Sequence, residues 1–134
     1  MISMLLEINE AENNYHLIPE GSYDCTVLYV WPTSDEHRKI INFYIAYVQE
    51  NELKPLIVKY VFTANNSLRT TGELIELLSS TFPITNEELS VLFNDKEKLI
   101  KFCTKLTGRR LKLYVDCSPK RNGQMYKSLR LKFK

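Results

Sequence analysis

The chain has no run of eighteen apolar residues, so the sequence predicts no helix that could span a membrane. Its opening segment, MISMLLEINEAENN, lacks the basic flank and the small-residue cleavage site of a secretory leader. The three cysteines are widely spaced and odd in number, which is typical of free thiols rather than of a disulfide framework. These absences predict a protein of the reducing cytoplasm that does not enter the membrane.

Recognisable catalytic and metal-binding motifs are also missing. The four glycines never cluster, so there is no phosphate-binding loop, and neither His-Glu-x-x-His nor Gly-x-Ser-x-Gly occurs. There is no Cys-x-x-Cys pair, and His16 and His37, which fall in predicted loops, do not supply the closely spaced ligands that a zinc site needs. The glutamates at 73, 76, 87 and 88 lie on predicted helices, where solvated carboxylates are ordinary. We therefore predict a protein that is not an enzyme and that uses no cofactor or metal.

Composition and spacing predict a single domain over residues 1–134. A chain of 134 residues with 44% hydrophobic and 25% charged residues can bury a substantial core, and no linker or repeat divides it. Residues 22–31, 38–49 and 55–63 alternate apolar and polar positions, as strands do. Leucines then recur at helical spacing, which predicts a helical insert over about 67–107, before two further alternating runs, LKLYVDC and MYKSLRLKF.

The predicted order β-β-β-α-β-β is mainly β with a helical insert. It favours an OB-fold-like five-stranded Greek-key barrel. A fragment of a β-sandwich, or an α+β sheet covered by one helical layer, would give the same order of elements. The order therefore leaves these two architectures open.

Charge is distributed unevenly along the chain. The formal net charge is only +2, yet residues 1–67 carry a net −5 and residues 68–134 a net +7. The last twenty-six residues, Arg109–Lys134, hold nine Lys/Arg against a single acid, Asp116. Such a split indicates one cationic surface and hence an anionic partner.

The basic C-terminal hairpin combines cations with aromatic rings on one predicted face. Lysine and arginine release counterions when they neutralise phosphates, and rings provide surfaces on which unpaired bases stack. If the fold is an OB barrel, its groove crosses strands two and three between the first-to-second and fourth-to-fifth strand loops. The residues predicted to bind nucleic acid are therefore Tyr44, Lys59, Arg109, Arg110, Lys112, Tyr114, Lys120, Arg121, Tyr126, Arg130 and Lys132.

The same residues have an ordinary structural explanation. Cations on a terminal strand protect an exposed edge from pairing with other chains, and Tyr114 and Tyr126 could form a cross-strand aromatic pair. The only tryptophan, Trp31, is more typical of the core or its rim than of a stacking platform. Nine cations against one acid nevertheless favour a binding surface over edge protection alone.

Short motifs run in order along most of the chain. They are Pro-Glu-Gly-x-Tyr at 19–23, Leu-x-Gly at 106–108 and Asn-Gly-x-x-Tyr at 122–126. With the leucine-rich insert between strands, this frame resembles small phage and mobile-element proteins with OB-like folds, in particular those that bind single-stranded DNA. The helical insert here is longer than in that pattern, and the middle strands show no evident row of stacking aromatics.

The resemblance and the basic hairpin together lead to one hypothesis and one rival. The hypothesis is a non-enzymatic single-stranded-DNA-binding protein of a phage or mobile element that acts in replication or recombination. The sequence leaves open RNA in place of DNA, a homo-oligomer, and contact with a replication protein. The rival is an OB-like adaptor whose cationic face docks an acidic protein such as a polymerase or helicase.

Overall fold

A computed structural model describes residues 2–63, 70, 72–74, 77, 85–119 and 125–133 of the chain. Helix α1 spans Ile2–Leu17, and strands β1 (Gly21–Ser34), β2 (Lys39–Gln49) and β3 (Glu52–Phe62) follow it. Residues 70, 72–74 and 77 are helical, and helices α2 (Asn86–Asn94) and α3 (Lys96–Leu106) come next. Strands β4 (Arg110–Pro119) and β5 (Met125–Phe133) complete the described chain.

The five strands form one antiparallel sheet in the order β3-β2-β1-β4-β5. The prediction of a mainly β protein with helices between the third and fourth strands is thus confirmed. The prediction of a closed barrel is wrong, because β3 and β5 are the two ends of the sheet and do not pair over their described residues. The order of elements also differs from the predicted one, since a helix precedes the first strand.

Helix α1 was not predicted, because its apolar and acidic residues show no helical period strong enough to separate them from a loop. Tertiary contacts hold it instead: Ala11 is fully buried and α1 packs along β3. The Asn14 side chain donates to the carbonyl of Pro55 on β3 at 2.8 Å. Packing rather than intrinsic propensity therefore accounts for this helix, as for most short helices.

Lys127 of β5 ties the end of α1 to the opposite edge of the sheet. Its Nζ donates to the carbonyls of Tyr15, His16 and Ile18 at 3.1, 3.0 and 2.9 Å. Carbonyls at a helix C-terminus lack helical partners and carry the negative end of the helix dipole, so a lysine there is favourable. Helix α1 is thus attached to both edge strands, through Asn14 on one side and Lys127 on the other.

We expect Lys127→Met to lower the free energy of unfolding by about 1–3 kcal/mol, the range for lost hydrogen bonds to a charged group. Methionine keeps the apolar stem of the side chain and removes the donor. Urea denaturation followed by circular dichroism measures the change. Lys101→Met on the exposed part of α3 is the matched control and should change stability by no more than about 0.5 kcal/mol. Equal effects of the two variants would contradict a tethering role for Lys127.

The predicted alternation in the middle strands is confirmed by burial. The inward rows are buried in the core, and they comprise Ile41, Phe43, Ile45, Tyr47, Leu56, Val58, Tyr60 and Phe62. The turn between β2 and β3 is shorter than predicted. Strand β3 begins at Glu52 rather than at Pro55, because Glu50 and Asn51 have positive φ angles of 53° and 65° and close a two-residue hairpin.

Side-chain oxygens cap the starts of the two later helices. Thr85 caps α2 by accepting a hydrogen bond from the backbone N–H of Glu88, and Asp95 caps α3 by accepting one from the N–H of Lys98. Gly108, with φ of 84°, follows the end of α3 and turns the chain into β4. Leu99, Cys103 and Leu106 face the core from α3. The sequence thus positions α3, which packs against β1.

The three cysteines differ in exposure. Cys25 and Cys103 are buried and Cys117 is half-buried. Burial raises the pKa of Cys103 to about 11. Because the thiolate is the reacting form, we expect iodoacetamide at about pH 8 to modify Cys117 in the folded protein well before Cys103. Mass spectrometry of the alkylated peptides checks this order, and Cys117→Ser should abolish the fast phase. A fast reaction at Cys103 would contradict the buried placement.

Candidate nucleic-acid interface

The side of the sheet that faces away from the core is called here the outer face. On β4 and β5 it carries four cations, which we call the cationic face: Arg110, Lys112, Arg130 and Lys132. Lys112 lies directly opposite Lys132 in the β4–β5 register, and Arg130 lies opposite Tyr114. The predicted gathering of positive side chains from the last two strands is therefore found in the structure. Period-two alternation was enough to find it.

Two acids share this surface and pair with two of its cations. Lys112 Nζ lies 3.2 Å from the Asp24 carboxylate on β1, and Arg130 lies 3.4 Å from that of Asp116. Both pairs are substantially solvent-exposed, and exposed pairs of this kind contribute only about 0–1 kcal/mol. A phosphate could therefore replace either carboxylate at small cost.

A tyrosine lies within the cationic face. Tyr114 is 36% exposed, and the Nζ of Lys132 lies 5.8 Å from the centroid of its ring. This is within the range of a cation–π interaction, which orients both side chains. The arrangement places an accessible ring between cations.

The remaining predicted residues separate into four groups. Arg109 directly precedes β4, next to Arg110 of the cationic face, and its carbonyl accepts a hydrogen bond from the N–H of Val27. Tyr44 lies on the outer face of β2, and Lys59 lies on that of β3, where it lines a cavity together with Arg130 of β5. Lys120 and Arg121 lie outside the described residues. For Tyr126 only the strand position, opposite Ser118, is described.

The structure adds an aromatic cluster that was not predicted, comprising Tyr29, Trp31 and Tyr44. The rings of Tyr29 and Trp31 are stacked, with centroids 5.3 Å apart and planes at 27°. Tyr29 is 56% exposed, and it lies directly opposite Tyr44 in the β1–β2 register. Three rings on adjacent strands thus form a partly exposed aromatic surface on the outer face.

A β-bulge explains why the sequence did not reveal this cluster. By simple alternation Tyr29 and Trp31 belong with the buried Val27 and would point into the core. The β1–β2 register shifts between Val27 and Tyr29, so Val30 is the buried residue and the two rings turn outward. The bulge arises where Val27 bonds to Gly108 and Arg109, contacts between residues far apart in sequence. Trp31, which was predicted to belong to the core or its rim, is half-buried and stacks on Tyr29 on the outer face.

The aromatic cluster and the cationic face adjoin along β1. Arg110 lies opposite Thr26, and Tyr29 follows three residues further along the same strand. At about 3.3 Å per residue, the two are on the order of 10 Å apart. The outer face therefore offers stacking surfaces and positive charge in neighbouring positions on one sheet.

The loop between β1 and β2, predicted to wall a groove, is organised by its own residues. Asp35 accepts hydrogen bonds from the backbone N–H groups of His37 and Arg38 and pairs with the Arg38 guanidinium at 2.8 Å. The hydrogen bond from His37, with those from Arg38, lowers the pKa of Asp35. Arg38 is thus engaged locally with Asp35.

Within the described ranges there is no cluster of three or more His, Cys, Asp or Glu side chains that could hold a metal ion. Among the helices that the structure describes, none is long and apolar enough to cross a membrane. Comparisons with protein-family models, with curated proteins and with solved structures give no match. The interpretation of the outer face therefore depends on its chemistry alone.

Proposed function

We propose that the protein is a non-enzymatic single-stranded-nucleic-acid-binding protein that uses the outer face of its sheet. The observation that carries this proposal is the exposed, stacked Tyr29–Trp31 pair on the same face as Arg110, Lys112 and Lys132. Bases would stack on the aromatic cluster while phosphates contact the cationic face. An adjoining set of rings and cations on one surface is what a flexible anionic strand with exposed bases requires.

We extend the proposal to an OB-like architecture and to single-stranded DNA of a phage or mobile element, in replication or recombination. The aromatic cluster occupies β1 and β2, and Lys59 lies on β3, close to the strands over which OB barrels bind oligonucleotides. OB-fold barrels are partly open, so an unpaired β3–β5 seam is compatible with that architecture. The short sequence motifs at 19–23, 106–108 and 122–126 support the same setting.

The first experiment is a fluorescence anisotropy titration with labelled oligo(dT) and with a duplex of equal length. We expect the single strand to bind more tightly, because paired bases cannot stack on the aromatic cluster. If two to four phosphates are neutralised, log K should fall against log salt with a slope of about −1.4 to −2.8. Absence of binding at low salt, or equal affinity for the duplex, would contradict the proposal.

A further inference from the structure

The two edge strands of the sheet line one cavity, which we call the seam cavity. It has a volume of about 750 Å³ and lies between residues 57–61 of β3 and 127–130 of β5, with α1 along one side. Each pair of neighbouring strands is antiparallel, so β3 and β5 run in the same direction. The sheet therefore curls far enough to bring its ends to a common opening, yet the ends remain unpaired with each other.

Pro55 shows which backbone groups of β3 point into this opening. Proline has no N–H, so its pair with Ala46 cannot be a hydrogen-bonded pair of the β2–β3 ladder. Alternation then directs the N–H and C=O of residues 55, 57, 59 and 61 toward the free edge. The carbonyls of Pro55 and Val61 accept from Asn14 and Thr70 respectively, at 2.8 and 2.9 Å.

Ile57 and Lys59 lie between these two contacts. No described residue forms a hydrogen bond with their edge-facing N–H and C=O groups, and both residues line the seam cavity. The interval between the Asn14 and Thr70 contacts corresponds to about five residues of extended chain, or about 17 Å. These N–H and C=O groups form a strand edge that is bounded by the Asn14 contact at one end and by the Thr70 contact at the other. One short extended segment can pair with such an edge.

We infer that the seam cavity binds an extended peptide segment of a partner protein. A segment running opposite to β3 would form an antiparallel ladder with its free edge at Ile57 and Lys59, and antiparallel pairing is the more stable of the two strand arrangements. The volume of the seam cavity, about 750 Å³, falls within the range of roughly 300–1,000 Å³ that is usual for ligand sites. This inference does not depend on nucleic-acid binding.

The lining of the cavity defines the side chains that such a peptide carries. Val58, Tyr60 and Leu129 line the cavity from the side of the core and favour apolar residues at alternate positions. The two strands contribute three cations to the lining, Lys59, Lys127 and Arg130, whereas the helical segments at its sides contribute two acids, Glu12 and Glu73. We therefore assign the site to a peptide that alternates apolar and acidic residues.

The test uses a fluorescein-labelled peptide of sequence Val-Glu-Val-Glu-Val and the full-length protein. We expect saturable binding by anisotropy and slower hydrogen exchange at the amides of Ile57 and Lys59. The same peptide with N-methylated glutamate amides keeps its side chains but loses ladder donors, and should bind at least about 10-fold more weakly. Replacing glutamate by lysine in the peptide should also weaken binding.

A matched pair of protein variants separates backbone from side-chain effects. Ile57→Pro removes one edge N–H at a position equivalent to that of Pro55, which this edge already accepts, and should weaken peptide binding about 10-fold. Ile57→Ala keeps the N–H and should retain most of the affinity. Both variants are first checked for native circular dichroism, and hydrogen exchange of the wild type tests the site independently of either variant.

Three results would overturn the inference. The first is equal binding of the N-methylated and unmodified peptides, which would exclude a strand ladder. The second is displacement of the peptide by oligo(dT), which would make the seam cavity part of a nucleic-acid path. The third is concentration-dependent protection of Ile57 and Lys59 without peptide, which would indicate edge-to-edge pairing of two copies of this chain.

Discussion

The double variant Arg130→Glu/Lys132→Glu is expected to bind oligo(dT) on the order of 100-fold more weakly than the wild type at low salt. Two unit charges at 4 Å in water interact by about 1 kcal/mol, and reversal converts an attraction into a repulsion of similar size. After screening, two reversals therefore give about 3 kcal/mol in total. The slope of log K against log salt should also become less steep by about 1.4, since two phosphate contacts are lost.

The control for this variant carries the same change of net charge on another surface. Lys101 and Lys105 are exposed on α3, so Lys101→Glu/Lys105→Glu alters the total charge equally without touching the cationic face. Its affinity should stay within about 3-fold of the wild type if contact rather than overall charge governs binding. Equal losses in both double variants would remove the cationic face from the proposed function. Urea denaturation of each variant excludes unfolding as the cause.

Replacing the stacked rings should weaken binding through a different mechanism. Tyr29→Ala/Trp31→Ala is expected to lose about 1–3 kcal/mol for each base that stacks, or about 5- to 150-fold per base. Because no phosphate contact is removed, the salt slope should remain that of the wild type. A lower affinity with an unchanged salt slope would distinguish base stacking from charge neutralisation in one set of titrations.

Trp31 is also the natural probe for this experiment, as the only tryptophan of the chain. We expect oligo(dT) to change its fluorescence in the wild type and in Arg130→Glu/Lys132→Glu at saturating concentrations. Tyr29→Phe and Trp31→Phe retain aromatic faces and should preserve most of the affinity. If the alanine variants bind as well as the phenylalanine variants, the aromatic cluster does not hold bases.

The two surfaces make separate demands on a partner. The outer face presents aromatic rings and cations, whereas the seam cavity presents the free edge of β3 between its contacts with Asn14 and Thr70. Loss of peptide binding in Ile57→Pro should leave the salt slope for oligo(dT) unchanged, and Tyr29→Ala/Trp31→Ala, which changes none of the described residues that line the seam cavity, provides the converse measurement. A protein with both properties would hold a nucleic-acid strand while a partner protein occupies its sheet edge.

The alternation of apolar and polar residues along each strand predicts which side chains share a face of the sheet. The positions of Lys112, Tyr114 and Arg130 on one outer face follow from period two, because adjacent strands in register keep their faces. The N-caps Thr85 and Asp95 likewise involve neighbouring residues only, because each side chain accepts a hydrogen bond from an N–H three residues further along. The pairing of Asp24 with Lys112, by contrast, depends on the register of β1 against β4.

The sequence by itself determined a mainly β protein with helices between the third and fourth strands, and a cluster of cations on its last two strands. These features depend on spacing between near neighbours, which the order of residues contains directly. Only the tertiary structure decided that the sheet stays open, that α1 lies at the seam, and that a bulge after Val27 turns Tyr29 and Trp31 outward. Each of these features depends on contacts between residues that are far apart in the chain. Local sequence patterns do not specify which of the possible long-range contacts is the most stable.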